Sequence, residues 1–122
     1  MSDTARAAGG SSRLGDRRCA PSTAGTAALG RAECEHLLAE LAPGWELADD
    51  SRSLRRAFRF ADFYRTMSFL NCIAHIANVE DHHPDLTVGY GQIGLTYSTH
   101  SIKGLSENDF ICAAKIDRLP LT

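Results

Sequence analysis

Apolar residues recur along this chain in two periods, and the change from one to the other marks out the elements. Between positions 31 and 41, Cys34, Leu37, Leu38 and Leu41 fall at spacings of three and four, with Glu33, Glu35, His36 and Glu40 among them. That spacing predicts an amphipathic helix, stopped by Pro43-Gly44. Positions 45–47 read as a short strand, Asp49-Asp50-Ser51 as a turn, and 54–60 as the antiparallel partner with Phe58 and Phe60 on one face. Asp62 is the expected N-cap of the longest helix, which runs to about Val79. Phe63, Met67, Leu70, Ala74 and Ala77 form its apolar stripe, widened by Tyr64, Ile73 and Ile76. Period two then returns: Leu86, Val88, Tyr90, Ile93, Leu95 and Tyr97 share one face of a hairpin, and Thr87, Thr96 and Ser98 the other. With Gly91-Gln92 as its two-residue turn, Tyr90 pairs with Ile93, Val88 with Leu95 and Leu86 with Tyr97, and His83 falls opposite His100. Positions 106–117 read as a closing helix whose apolar set is Phe110, Ala113, Ala114 and Ile116. Ser106 and Asp109 stand in the S-x-x-D capping relation at its start.

Two hairpins separated by a long helix predict an α+β domain, a four-stranded antiparallel sheet with helices packed on one face. The domain is expected over residues 31–122. Residues 1–30 hold twenty Gly, Ala, Ser, Thr or Pro and, after the initiator, only Leu14 and Leu29 as large aliphatics. So little apolar surface does not offset the entropy of ordering, and a disordered N-terminal tail is expected. Its four arginines resemble a transit peptide only weakly, because Asp3, Asp16 and the glycines interrupt any amphipathic helix.

The formal net charge of -2 gives no basic footprint for nucleic acid, and no apolar stretch approaches the roughly 20 residues that span a bilayer. Arg52, Arg55, Arg56 and Arg59 are read as a solvated sheet face rather than a phosphate site. Cys19, Cys34, Cys72 and Cys112 form no C-x-x-C pair and are expected as reduced thiols in the cytoplasm, with Cys72 and Cys112 as small core residues.

The candidate chemistry lies in His82, His83 and His100. Adjacent residues of an extended segment point to opposite sides, so His82 and His83 do not readily share one metal. Ser98 and Ser101 flank His100, but no nucleophile elbow accompanies them. General acid-base catalysis suits the set best, since histidine as a residue type titrates near neutrality. A polar rim without turnover is the plain alternative.

The run His82-His83-Pro84, Tyr90 six residues beyond the proline, Ser98-Thr99-His100, and Gly104-Leu105-Ser106-Glu107 with Asp109 resemble the signature of the pterin-4a-carbinolamine dehydratase family. Leu41-Ala42-Pro43-Gly44-Trp45 and Phe58-Arg59-Phe60 extend the resemblance, which covers about 31–119. It implies a cofactor-free, metal-free dehydratase that removes the 4a-hydroxyl of a hydroxytetrahydropterin as water to give the quinonoid dihydropterin. It further implies a pterin pocket lined by His82, His83 and His100, with Asp109 orienting one imidazole. Asp81 is the carboxylate that could meet the pterin's N–H donors, and Pro84, Ser98 and Thr99 complete the substrate-binding set. The family forms dimers and tetramers, so a homodimer or homotetramer is implied. Relatives of this kind also act as binding proteins, which sets a second expectation: a dehydratase-like partner of RuBisCO in carboxysome-bearing bacteria or a dimerisation cofactor, against an enzyme serving a hydroxylase. The chain departs from the family pattern at Leu86, where a large aromatic is expected, and at Asn78, where an acid is.

Overall fold

The computed structural model describes residues 10–22 and 25–121. Four strands, β1 (Glu46–Leu47), β2 (Leu54–Arg59), β3 (Asp85–Val88) and β4 (Gln92–Tyr97), form one antiparallel sheet in the order β1-β2-β4-β3. The helices are α1 (Gly10–Asp16), α2 (Arg31–Leu38), α3 (Phe63–Glu80) and α4 (Glu107–Asp117). Alternation sorts the sheet: Leu54, Phe58, Ile93, Leu95 and Tyr97 are buried toward the helices, while Arg55, Arg59, Thr87 and Thr96 lie on the open face. The expected α+β architecture is the one observed.

The hairpin differs from expectation by two residues. Leu86 pairs with Leu95 and Val88 with Ile93, and Gly89 N–H donates to the Gln92 carbonyl (2.9 Å), so Tyr90-Gly91 is the turn. A slip of two keeps every side chain on its expected face, whereas a slip of one would have inverted them. Tertiary contact fixes the turn: Phe60 N–H donates to the Gly91 carbonyl (2.8 Å), and a Cβ on Gly91 would come within 2.8 Å of the Phe60 carbonyl oxygen.

Asp62 caps α3 as expected, its carboxylate accepting from Arg65 N–H at 2.8 Å. Of the predicted stripe Ile73 and Ala77 are buried and Met67, Leu70 and Ile76 half-buried, but Thr66, Phe69 and Glu80 complete the buried face, and Phe63, Tyr64, Cys72 and Ala74 are exposed. Phe58, Phe60 and Phe69 draw this face onto the sheet, with ring centroids 4.9 and 5.2 Å apart.

The tail also departs from expectation where it is described. Leu14 of α1 is fully buried in the main core, and α1 packs on α4. Lys115 donates to the Gly15 carbonyl (2.8 Å), and Arg118 pairs with Asp16 (3.0 Å). Leu29 N–H donates to the Leu105 carbonyl (2.9 Å). Residues 1–9, 23 and 24 of the expected tail lie outside the described residues. α4 is thereby covered on two sides, and Asn108 through Ala114 are all buried.

Candidate active site

The end of α3 sets the site. Asp81 follows as its C-cap in the left-handed region (φ 52°), a conformation aspartate tolerates better than most residues. The Asp81 and His82 N–H groups both close on the Ala77 carbonyl, so His82 and His83 leave the helix in a tight reversal before β3 begins. On the other side, β4 runs into a loop closed by Thr99 and Gly104, with Thr99 N–H donating to the Gly104 carbonyl (2.8 Å). His100 opens the short 3₁₀ turn inside that loop. Since β3 starts at Asp85, no strand pairing sets His83 against His100 as the sequence reading expects.

Asp109 joins these pieces. It sits at N3 of α4, fully buried, and its Oδ2 accepts from Ser106 N–H (2.9 Å) and the Thr99 hydroxyl (2.8 Å). Its Oδ1 lies 2.6 Å from His82 Nε2. One carboxylate therefore completes the helix cap and also holds an imidazole. As a carboxylate it only accepts, so Nε2 carries the proton and Nδ1 of a neutral His82 keeps its lone pair. The ring is further fixed by stacking on Tyr97, with centroids 5.8 Å apart and planes inclined by 10°.

His82, His83 and His100 line a single cleft of about 380 Å³ together with Asp81, Ser98 and Thr99. His83 and His100 are exposed, whereas the His82 side chain retains 12% exposure. The arrangement offers one imidazole held by a buried carboxylate and two that are free to meet a solute, enough to take a proton at one atom and deliver one at another. Pro84 does not line this cleft, nor do Leu86 and Asn78, the two departures from the family pattern. A second groove of about 440 Å³ crosses the open sheet face between Arg55 and Thr87 and holds no histidine. Among the described residues, no three His, Cys, Asp or Glu side chains cluster as metal ligands would.

Ala20, Pro21, Ser22 and Asn108 also line the cleft and are singled out by nothing in the sequence; Ser101 lines it too, weighed in the sequence only as a nucleophile beside His100. Ser101 adjoins His100 in sequence; the other four depend on the N-terminal segment folding back. A signal for that was present in α4, where Phe110-Ile111-Cys112-Ala113-Ala114 is too continuous an apolar run for one helix face.

Comparison with known proteins follows the same residues. The sequence model of the family described as pterin 4 alpha carbinolamine dehydratase matches residues 27–119. A protein of Nitrosomonas eutropha, provisionally named pterin-4-alpha-carbinolamine dehydratase, is 52% identical over 106 residues, 87% of this chain and 92% of its own. One of Legionella pneumophila with the same name is 48% identical over 108 residues, 88% and 96% of the two chains. A match of 106 residues does not fit within the 96 of positions 27–122, so at least ten of the first 26 belong to it. Among solved structures, a transcriptional coactivator/pterin dehydratase from Brucella melitensis superposes with a TM-score of 0.69 at 32% identity, covering 73% of this chain and 94% of that one. A pterin dehydratase-like protein described as a RuBisCO assembly factor in the alpha-carboxysome shares the fold, with a TM-score of 0.53 at 21% identity over 61% of this chain and 86% of its own. With its fold, its histidine cleft and a match over most of its length, the chain belongs to the pterin 4 alpha carbinolamine dehydratase family.

Proposed function

We propose that this protein is a 4a-hydroxytetrahydropterin dehydratase, acting on 4a-hydroxytetrahydrobiopterin or a close relative without a cofactor. The observation that carries the reading is the 2.6 Å contact between His82 and buried Asp109 in a cleft that His83 and His100 also line. In the reaction the C4a–O bond breaks, the departing hydroxyl takes a proton and leaves as water, and the adjacent N5–H gives up its proton as the C4a=N5 double bond forms. Neutral His82, with Nδ1 free and its imidazolium stabilised by Asp109, suits the proton-accepting role. His83 and His100 are the candidates to protonate the hydroxyl, and Asp81 offers a carboxylate to the pterin's N–H donors. Ser98 lines the cleft as a further polar contact, while the Thr99 hydroxyl already serves Asp109 and Ser106.

Self-association is part of the proposal. The edge strand β3 leaves Leu86 and Val88 exposed, and α3 exposes Phe63, Tyr64 and Val79, apolar side chains that a partner copy would cover. Four unpaired cysteines suit a reducing compartment such as the cytoplasm. No described helix is long and apolar enough to cross a membrane.

The test is to generate the 4a-hydroxytetrahydropterin in situ and follow its dehydration spectroscopically. The wild type is expected to exceed the buffer rate, and His82→Ala to lose about 10²–10⁴ of kcat, the usual worth of a positioned acid or base. Asp109→Asn is expected to fall in the same direction, because an amide does not stabilise the imidazolium. Wild-type turnover no faster than buffer would sink the reading.

A further inference from the structure

Two buried polar side chains outside the histidine set have partners that lie almost entirely in the N-terminal segment. Asn108, 8% exposed, holds both ends of its amide against residue 20: Ala20 N–H donates to Oδ1 at 3.0 Å, and Nδ2 donates to the Ala20 carbonyl at 2.6 Å. The same Nδ2 reaches the Ser22 hydroxyl at 3.3 Å. Glu80, the last residue of α3 and also 8% exposed, accepts from Cys19 N–H at 2.8 Å and from Arg18 Nε at 3.0 Å. Cys19 Sγ lies 3.5 Å from Cys112 Sγ. Burying an amide and a carboxylate costs free energy unless each is satisfied, so these two side chains and residues 18–22 are built for one another.

What they hold in place faces the cleft. Ala20, Pro21 and Ser22 line it beside His82, His83 and His100, and apart from those imidazoles no lining residue carries an aromatic ring. A flat heterocycle needs apolar area as well as polar contacts. The Ala20 methyl and the Pro21 ring supply that area, and the fixed φ of proline keeps it rigid. Asn108 and Asp109 are consecutive in the first turn of α4, so a single helix end positions both the apolar wall and the Asp109-held imidazole.

We infer that residues 18–22 form a strap against which the substrate's ring is held, with Pro21 as the contacting residue and Asn108 and Glu80 as positioning residues acting through it. The inference rests on the pterin reading of the cleft and adds to it. It also gives a use to part of the N-terminal stretch that the relatives share beyond the family model.

The experiment uses the full chain and two readouts: the Kd of 7,8-dihydrobiopterin by fluorescence, and kcat and KM for the 4a-hydroxytetrahydropterin. Pro21→Gly removes the ring and leaves every anchor in place, whereas Asn108→Ala frees the strap. Both are expected to raise Kd and KM about tenfold, with the loss falling on KM rather than kcat, and Pro21→Val is expected to recover most of it. Wild-type Kd in a folded Pro21→Gly overturns the strap whatever Asn108→Ala does. A wild type that binds dihydrobiopterin without turnover refutes the dehydratase reading alone, and the strap is then judged on Kd. A wild type that does not bind the pterin overturns both.

Discussion

Tyr97 shows how a residue can support a site without taking part in it. Its ring lies under His82, and its hydroxyl is fully buried with no nitrogen or oxygen partner, facing the Cys112 thiol instead. Burial, and then the Cys112 thiol, hold that hydroxyl far above its usual pKa, so it stays protonated. A buried hydroxyl without a good acceptor destabilises the fold by about 1–3 kcal/mol, some of which is offset by packing. Tyr97→Phe keeps the stacking surface and is expected to raise stability by about 1 kcal/mol in urea titrations. A loss of similar size would show that the thiol is a real partner. Asp109 carries the opposite lesson. Its capping spacing to Ser106 is visible in the sequence, but spacing alone does not show that the second oxygen is left over for an imidazole. The histidine motif was legible because three histidines crowd into 19 residues; its Asp109 link, without the family resemblance, was not.

At the scale of elements, Asp117 closes α4 against the opposite end of the sheet. Its carboxylate accepts from Arg56 at 2.9 Å, Trp45 Nε1 at 2.8 Å and Ala42 N–H at 2.8 Å, and the Arg56 guanidinium lies 4.6 Å from the Phe58 ring centroid. Arg56 is therefore a correction to the reading of four solvated arginines: period two places it with Leu54 and Phe58, and it works on the core side. Removing one partner of a buried pair leaves the other uncompensated, so Asp117→Ala is expected to cost about 3–5 kcal/mol by denaturant midpoint. Arg55→Ala, on the open face, is expected to stay within about 0.5 kcal/mol. A cost for Asp117→Ala below about 1 kcal/mol would mean that water replaces the network. Elements themselves were legible where period and caps agreed, as at Asp62 and Ser106. The turn and the α3 face were not, because Phe60 and Gly91 meet only after the chain has folded and Phe69 is chosen by aromatic neighbours from distant β2 and the turn that follows it.

For the molecule as a whole, the sequence misleads most at its N-terminus, and the reason is a matter of partners. Counted alone, residues 10–22 bury one leucine; counted with Glu80 and Asn108, they also supply most of the hydrogen bonds of two polar side chains buried in the rest of the domain. This makes the attachment pH-sensitive in a defined direction. Burial by itself would raise the Glu80 pKa, but Cys19 N–H, the Lys115 ammonium (3.6 Å away) and Arg18 outweigh it and hold the carboxyl below its ordinary 4.5. A carboxyl depressed in the folded state contributes stability above its unfolded pKa and loses that contribution as pH falls through the folded value. Wild type is therefore expected to melt above Glu80→Gln by a constant margin from neutral pH down to about pH 5, and the margin to close below about pH 4.5. Other carboxyls titrate in the same window, which is why the comparison is with Glu80→Gln and not with wild type at neutral pH. An unchanged margin at pH 3.5 would show that the margin does not come from the Glu80 charge, and that the strap is held by shape and by Asn108.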